Sequence, residues 1–367
     1  MRVSLVVIGY GAPDSGLARH VNRLAAGLLA RGTEVEIQVI GDVRALHRPS
    51  NGLGRRLPVK IRRLRLAVPS ALWRALDLAG AGFDLVDVHI SEPPVAPAGT
   101  TLGAGPMVLT LHAPVQRLRR WPYSRAVGAL VAEANRIVCA SRADVDLLVK
   151  SFPAAAGRVE VLRPGVDECG IRAAAPFVSE STIVLAAGAL ERKRRLDRAI
   201  AALPSLGPRF RLVIVGDGPD RRRLEAYAAD LRVARRVTIT GAVDDAAYHR
   251  WLRTARVFVA LAGEDSSGVH VLEALAAGTP VVASDIPVHR EVLDQAHHGG
   301  AFFVAPDGSP LDVADAIELA AQQPPRPGAV SVMAWESVLE TTWKIYRQVA
   351  LDAVQDREVS YRHSAAS

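Results

Sequence analysis

Residues 264–283 read EDSSGVHVLEALAAGTPVVA, and this stretch decides the fold class. Apolar residues at helical spacing predict a helix over Val269–Ala277, and the apolar run Pro280–Ala283 predicts a buried strand directly after it. The start of that helix, at Gly268 and Val269, presents free N–H groups and the positive end of the helix dipole. Such a helix start is a natural seat for phosphate.

Strands and helices alternate on both sides of this stretch. The C-terminal half contains further predicted strands at Thr182–Ala187, Arg211–Val215, Val237–Thr240, Val257–Ala260 and Ala301–Val304. The N-terminal half contains predicted strands at Val3–Ile8, Glu34–Ile40, Asp84–Val88, Met107–Leu111, Arg136–Ala140 and Val159–Leu162. Alternation of this kind builds βαβ units with parallel sheets. The sequence therefore predicts two doubly wound α/β domains, which bind ligands at the carboxyl ends of their strands.

The domain boundaries follow from composition. A length of 367 residues with 49% hydrophobic residues fits two domains. The segment Pro164–Glu180 is rich in Pro, Gly and Ala and is the expected linker. The predicted organisation is a Rossmann-like domain at 1–168, a second at 169–330, a C-terminal crossover helix at 331–354 and a flexible tail at 355–367.

Several classes of protein are disfavoured by composition. No apolar run reaches the 18 residues or more typical of a membrane-spanning helix. The beginning of the chain, MRVSLVVIGYG, predicts a first strand and not a secretory signal. The two cysteines, Cys139 and Cys169, belong to no metal-binding or disulfide motif, and this favours a cytoplasmic protein.

Positive charge is concentrated in the first half of the chain. Residues 1–165 contain 22 Lys and Arg against 12 Asp and Glu, whereas the whole chain has a net charge of +7. The expected surface for an acceptor or an anionic membrane is formed by Arg62, Arg63, Arg65, Arg119 and Arg120. A solvated basic face is the alternative. Nucleic-acid binding is disfavoured because no recognition motif accompanies the charge.

Glu273 interrupts an otherwise apolar helix face. A buried carboxylate is costly unless polar groups satisfy it. Two adjacent hydroxyls, such as those of a ribose, are one solution; an arginine partner or partial exposure is the other. The residues alone leave these alternatives open.

The spacing of two acidic residues resembles a known family. Asp265 and Glu273 are similar to the acidic-x7-Glu motif of family-four retaining glycosyltransferases. That family has the GT-B fold, in which two Rossmann-like domains face a central cleft and a C-terminal helix crosses back to the N-terminal domain. The resemblance implies that Glu273 binds the ribose of a nucleotide-sugar and that Asp265 contacts the transferred sugar. The usual residue at the first position is Glu, so Asp265 is shorter by one methylene.

Other motifs extend the resemblance over nearly the whole chain. Gly11–Val21 is similar to the family's first glycine loop, which implies that Gly16 approaches the diphosphate. His112 follows a predicted strand, as does a family histidine near the transferred sugar. Gly241 and Val243 lie in a loop that the resemblance places near the nucleobase.

A cation is expected near the leaving diphosphate. Counting back from Asp197, Arg194 lies where the family has a lysine and Lys193 lies beside it, whereas Ala189 occupies the position of a family arginine. A positioned Lys or Arg neutralises the charge that grows on the leaving group. The resemblance adds Gly268 and Val269 to the donor-binding residues. Which of the two cations acts is left open.

No metal site is expected. Asp144 and Asp146 form a DxD pattern, which binds a divalent metal in other glycosyltransferases. Here the pattern falls in the first turns of a predicted helix, where acidic residues favour the dipole, so a structural role is expected.

Together, the sequence and its resemblance predict a retaining, metal-independent hexosyltransferase without a cofactor. The donor is a UDP- or GDP-sugar held by the C-terminal domain, and the acceptor hydroxyl is held by the N-terminal domain. A lipid-linked or phosphorylated acceptor at the inner face of a membrane is the first expectation, and a soluble secondary metabolite such as an aminocyclitol is the alternative. A non-catalytic nucleotide-sugar-binding protein is the rival from another class.

Overall fold

The computed structural model describes residues 1–8, 16–40, 60–64, 82–91, 105–120, 124–295, 301–325 and 332–365. They form two compact units: unit 1 is Met1–Arg163 with Glu336–Ser367, and unit 2 is Pro164–Trp335. The strand pairs are parallel in both units. The predicted class, two doubly wound α/β domains, is confirmed.

Unit 1 is built on a seven-stranded sheet. Its strands are β1 (Arg2–Ile8), β2 (Glu34–Ile40), β3 (Lys60–Leu64), β4 (Leu85–Ile90), β5 (Met107–Leu111), β6 (Arg136–Cys139) and β7 (Val159–Val161), in the spatial order β3-β2-β1-β4-β5-β6-β7. The helices described between them are α1 (Gly16–Ala30), α2 (Val115–Leu118), α3 (Ser124–Glu133) and α4 (Arg142–Ser151). Every residue of β4 and β5 is buried, as expected for central parallel strands covered on both faces.

The sheet register of unit 1 places three strand ends side by side. Ile8 pairs with Ile90, and Ile90 pairs with Leu111, so β1, β4 and β5 end at one edge. The described residues at these three strand ends therefore share one neighbourhood. This edge is where ligands bind in doubly wound folds.

Unit 2 repeats the plan with six strands. They are β8 (Thr182–Ala187), β9 (Phe210–Val215), β10 (Val237–Gly241), β11 (Val257–Ala260), β12 (Val281–Ser284) and β13 (Ala301–Val304), in the spatial order β10-β9-β8-β11-β12-β13. The helices are α5 (Glu168–Ala173), α6 (Leu196–Ala202), α7 (Arg221–Asp230), α8 (Asp245–Thr254), α9 (Val269–Ala276), α10 (Pro287–Gln295) and α11 (Pro310–Gln322).

The final helix, α12 (Trp335–Ala365), returns to unit 1. Its Tyr346 is fully buried and donates a hydrogen bond to the carboxylate of Asp87 on β4. The helix continues beyond the predicted end at 354, so residues 355–365 are helical and do not form the expected flexible tail. These residues include no proline or glycine that would stop helix propagation.

The expected linker contains part of unit 2. Residues 164–173 belong to unit 2 because the N–H of Val166 donates to the carbonyl of Met333, 2.9 Å away, and the side chain of Ile171 is fully buried. The carboxylate of Asp167 accepts a hydrogen bond from the N–H of Gly170 and caps α5. The contacts therefore place the boundary after Arg163, where the sequence placed it after residue 168.

Candidate functional site

The carboxyl ends of three strands in unit 2 meet through glycines. Gly216, after β9, has φ 140° and donates its N–H to the carbonyl of Gly241 at the end of β10, 3.0 Å away. A Cβ atom on Gly216 would lie 2.0 Å from the carbonyl oxygen of Gly188, which follows β8. The three backbones therefore approach more closely than any side chain would permit, and only glycine fits at residue 216.

The first turn of α9 adjoins these loops. Its N-cap is Gly268 in the left-handed conformation, with φ 60°, and a Cβ there would lie 2.9 Å from Val292. No side chain caps the helix, although the N–H of Val269 donates to Ser267 Oγ over 3.4 Å. The start of α9 thus has the geometry expected of a phosphate seat.

Glu273 on α9 is held by two side chains. Tyr248 on α8 donates its hydroxyl to Glu273 Oε2 over 2.9 Å, and His270 Nδ1 lies 3.0 Å from the same oxygen. Tyr248 Oη and His270 Nδ1 are 3.2 Å apart. Tyr248 is buried, and 13% of the Glu273 side chain is exposed. The carboxylate is thus both oriented and partly open to a ligand.

His270 joins this carboxylate to the glycine loops. Because an ionised carboxylate only accepts hydrogen bonds, Nδ1 carries the proton and Nε2 points away from Glu273. A Cβ on Gly188 would lie 3.3 Å from His270 Nε2 and 3.6 Å from Arg194 Nε. Among the described residues, Arg194 Nε has no hydrogen-bond partner. Two nitrogen-bearing side chains therefore flank one point beside the strand ends.

Asp265 forms the second charged group of the site. Its Oδ2 lies 3.4 Å from Arg194 Nη1 and 3.6 Å from His289 Nε2. Burial alone would raise the pKa of Asp265, but the charge of Arg194 and the neighbouring imidazole of His289 outweigh burial and hold that pKa well below its usual value. The N–H of Ser266 donates to Asp265 Oδ1 over 2.7 Å. Asp265 is therefore an ionised, fixed carboxylate.

The structure separates the two candidate cations. Arg194 lies against Asp265, whereas Lys193 Nζ pairs with Glu191 Oε2 over 2.5 Å. Val243 is half-buried and packs against the apolar core of unit 2. The residues predicted for the donor site lie at or beside the strand ends of unit 2. They are Lys193, Arg194, Gly241, Val243, Asp265, Gly268, Val269 and Glu273.

Unit 1 brings three histidines together at its strand ends. They are His20 on α1, His89 on β4 and His112 directly after β5. His89 Nδ1 lies 3.0 Å from His112 Nε2, and the ring centres of His20 and His112 are 4.8 Å apart. Burial lowers the pKa of His20 and His89 to about 3 and that of His112 well below its usual value, with mutual repulsion among the rings adding to the shift at His20 and His112. The three imidazoles are therefore neutral at neutral pH.

A buried carboxylate lies behind His89. Asp87 Oδ2 is 3.3 Å from His89 Nε2, and Asp87 accepts hydrogen bonds from Thr110 Oγ1, over 2.8 Å, and from the hydroxyl of Tyr346. Burial raises the pKa of Asp87 to about 6, and the hydrogen bonds from Tyr346 and Thr110 oppose this rise. Asp87 links β4, β5 and α12 within unit 1.

Other predicted residues of unit 1 are placed as follows. Gly16 is the first residue of α1, and the loop before it lies outside the described residues. Asp144 accepts a hydrogen bond from the N–H of Val115 over 3.0 Å, and its own N–H donates to Ser141 Oγ over 3.2 Å. These contacts give Asp144 the structural role that was expected, in the first turn of α4.

The basic residues of the predicted acceptor or membrane surface are described only in part. Arg62 and Arg63 lie on the edge strand β3, Arg119 and Arg120 are exposed after α2, and Arg65 falls outside the described residues. No described helix is both long enough and apolar enough to cross a bilayer.

Comparisons with known proteins identify two families. The model for glycosyl transferases group 1 matches residues 170–331, and that for Glycosyltransferase Family 4 matches residues 15–168. A phosphatidyl-myo-inositol mannosyltransferase of Mycolicibacterium smegmatis is 30% identical over 318 residues, which are 80% of this chain and 78% of that protein. A D-inositol 3-phosphate glycosyltransferase of Stackebrandtia nassauensis is 29% identical over 272 residues. That match covers 67% of this chain and 61% of the relative, so the chain spans less than two thirds of that relative's length.

Solved structures support the fold. Sucrose-phosphate synthase from Thermosynechococcus elongatus matches with a TM-score of 0.71 at 18% identity, over 94% of this chain and 98% of its own. Anabaena HepE in complex with UDP-glucose matches with a TM-score of 0.67 at 13% identity, over 97% of this chain and 99% of its own. At these identities the likeness concerns the fold alone, and it confirms the predicted GT-B class.

Proposed function

The chain belongs to the group 1 glycosyl transferases, and on that premise we propose that it transfers a sugar from a UDP- or GDP-sugar to an acceptor hydroxyl with retention of anomeric configuration. The observation that carries this proposal is the carboxylate of Glu273, which Tyr248 and His270 orient at the strand ends of unit 2. HepE, one of the matching structures, is in complex with UDP-glucose.

In this proposal Glu273 binds the ribose. A carboxylate offers about four acceptor positions, so it can accept hydrogen bonds from two vicinal hydroxyls while keeping those from Tyr248 and His270. Glu273 is not an unpaired buried charge, because Tyr248 and His270 contact it and its side chain is partly exposed. Gly241 and Val243 are proposed to flank the nucleobase.

The diphosphate is proposed to lie at the start of α9, against Gly268 and Val269. Arg194 supplies the fixed positive charge, because its guanidinium is held by Asp265 and its Nε faces the Gly188 loop. A charge fixed in place before the reaction stabilises the diphosphate as it leaves. Lys193, paired with Glu191, is the weaker candidate.

The remaining catalytic roles are those that the family resemblance implies. Asp265 and His112 are proposed to position the transferred sugar, and Gly16 to approach the diphosphate. No dedicated nucleophile is assigned. The acceptor proton passes to an oxygen of the departing diphosphate on the same face of the sugar, and the reaction needs neither a metal ion nor a cofactor.

The acceptor is proposed to contain an inositol phosphate group. The two relatives above are named for phosphatidyl-myo-inositol and for inositol 3-phosphate, which share this group. The basic residues Arg62, Arg63, Arg119 and Arg120 suit a phosphorylated acceptor and peripheral contact with the inner face of an anionic membrane.

Transfer assays with the purified chain test this proposal. UDP- and GDP-sugars are offered with phosphatidylinositol in anionic vesicles, with inositol 3-phosphate in solution and with an aminocyclitol, in the presence of EDTA. The proposal expects a product with one of the two inositol acceptors, and the anomeric coupling in the NMR spectrum matches that of the donor. An inverted anomer refutes the retaining mechanism, and transfer to the aminocyclitol alone refutes the acceptor class. Donor binding without any transfer indicates a non-catalytic binding protein.

A further inference from the structure

The three histidines of unit 1 are arranged as ligands around one point. One nitrogen from each of His20, His89 and His112 lies within 4.8 Å of the corresponding nitrogens of the others. Among the described residues this is the one group of at least three His, Cys, Asp or Glu side chains with that geometry. His89 is fully buried, and the other two are half-buried.

The spacing of the rings matches a tetrahedral metal site. The ring centres are 5.7 Å apart for His20 and His89, 4.8 Å for His20 and His112, and 5.3 Å for His89 and His112. Three imidazoles bound to one tetrahedral Zn²⁺ through Zn–N bonds of about 2.05 Å have ring centres about 5.2 Å apart. The three side chains therefore need only small rotations to bind one ion.

The surroundings of His89 supply an independent argument. Asp87 Oδ2 lies 3.3 Å from His89 Nε2, whereas His112 faces the other ring nitrogen, Nδ1. His89 Nε2 has no partner with good hydrogen-bond geometry among the described residues. Histidines that bind zinc commonly donate their second N–H to a carboxylate, which fixes the tautomer and makes the ring a better ligand. Asp87 is itself fixed by Thr110 and Tyr346.

We propose that His20, His89 and His112 bind a Zn²⁺ ion, with Asp87 as the carboxylate that orients His89. Three neutral imidazoles suit zinc and related transition metals, whereas Mg²⁺ and Ca²⁺ prefer oxygen ligands. With three protein ligands, the fourth position on zinc is open to water or to an oxygen of a ligand.

The ion has a consequence for catalysis that rests on the proposed function. That function places His112 beside the transferred sugar, and in the proposed metal site zinc is bound by His112 Nε2, the atom that faces His89. Zinc and productive sugar binding then exclude each other, so micromolar zinc inhibits transfer. The site is regulatory in this account, and the reaction itself uses no metal.

Metal binding by the full chain tests the site directly. Apo protein prepared with EDTA and then freed of it is titrated with Zn²⁺ against a chromophoric chelator, and separately with Co²⁺ while the visible spectrum is recorded. The wild type is expected to bind one Zn²⁺ per chain and to give the intense cobalt bands of a four-coordinate site. His20→Gln and His112→Gln are expected to lose both signals. Asp87→Asn is expected to bind zinc about 10–100-fold more weakly.

The matched control is His249→Gln, which changes a buried histidine of unit 2 and is expected to bind zinc like the wild type. Circular dichroism checks that each variant is folded. Absence of zinc binding by the wild type, or equal binding by the wild type and the His20 and His112 variants, overturns the site.

Inhibition is tested separately through His20→Gln, which should transfer sugar in the presence of zinc that stops the wild type. Zinc binding without any nucleotide binding leaves the metal site standing and removes the proposed function. Nucleotide binding and transfer without zinc binding removes the metal site and leaves the proposed function standing.

Discussion

Replacing Tyr248 with phenylalanine tests whether that hydroxyl prepares Glu273 for its ligand. The hydroxyl donates to Glu273 Oε2 over 2.9 Å and touches His270 Nδ1 at 3.2 Å. The ring is buried, with 3% of the residue exposed, so Tyr248→Phe keeps the packing and removes one oxygen. The change therefore isolates one hydrogen bond to a charged group.

The size of the effect follows from the geometry. A hydrogen bond to a charged group contributes about 1.5–3 kcal/mol, and partial exposure of Glu273 favours the lower end. A loss of about 1.4 kcal/mol in binding free energy raises Kd about tenfold, so Tyr248→Phe is expected to bind the nucleotide about tenfold more weakly. Glu273→Gln also removes the charge that binds two ribose hydroxyls, and it is expected to weaken binding by about 100-fold.

Isothermal titration calorimetry with UDP and GDP measures both variants and their combination. If Tyr248 acts through Glu273, the double variant binds no more weakly than Glu273→Gln alone. Tyr227→Phe, on α7 of the same unit, is the matched control and should bind like the wild type. Unchanged affinity in Tyr248→Phe, or fully additive losses in the double variant, refutes the orienting role.

Three further predictions follow from the same contacts. Gly216→Ala places a Cβ 2.0 Å from the carbonyl oxygen of Gly188, so it should lower the free energy of unfolding of unit 2 by about 3 kcal/mol; an unchanged midpoint in urea contradicts this. Arg194→Ala should weaken the binding of nucleoside diphosphates about tenfold more than the binding of monophosphates, as measured by calorimetry, because Arg194 faces the proposed diphosphate site. Equal losses of affinity contradict that placement. His89 is neutral in the fold and takes up a proton on unfolding below about pH 6.5, so its own contribution to stability is complete above that pH and falls by up to about 1.4 kcal/mol per pH unit as pH drops toward 3, while Asp87, whose pKa burial raises to about 6, contributes in the opposite sense. His89→Gln should flatten this fall in acid-dependent urea titrations, and an equal slope in both proteins contradicts the burial argument.

The alternation of strands and helices was predictable because buried parallel strands are almost wholly apolar. Strand β3 (Lys60–Leu64) was missed for a physical reason. It has the sequence KIRRL and lies at the edge of the described sheet, and charged residues are tolerated there because, within the described part of the chain, β3 pairs with a strand on one side only. From the sequence alone, its basic residues indicate only surface charge. The helical end of α12 was missed because its polar composition resembles that of a disordered tail.

The sequence indicates only those residues of the candidate site that lie close together along the chain. The sequence indicates Glu273 and Asp265 together because they share one loop and helix. Tyr248 lies on another helix, and its only signal was a hydroxyl on the buried face of α8. His20 and His89 likewise come from separate elements, which the register of β1, β4 and β5 brings together. The sequence left Lys193 and Arg194 equivalent, whereas the contact with Asp265 distinguishes them.

The proposed function depends on the binding of a nucleoside diphosphate sugar by Glu273 and the strand ends of unit 2. The most direct measurement is a thermal-shift panel of UDP, GDP, ADP and TDP and their common sugars, with and without EDTA, on the wild type and on Glu273→Gln. A ligand that binds the folded state raises Tm by mass action. We expect a clear rise in Tm with UDP or GDP that is insensitive to EDTA and is lost in Glu273→Gln. No rise with any nucleotide, or an equal rise in the variant, contradicts it.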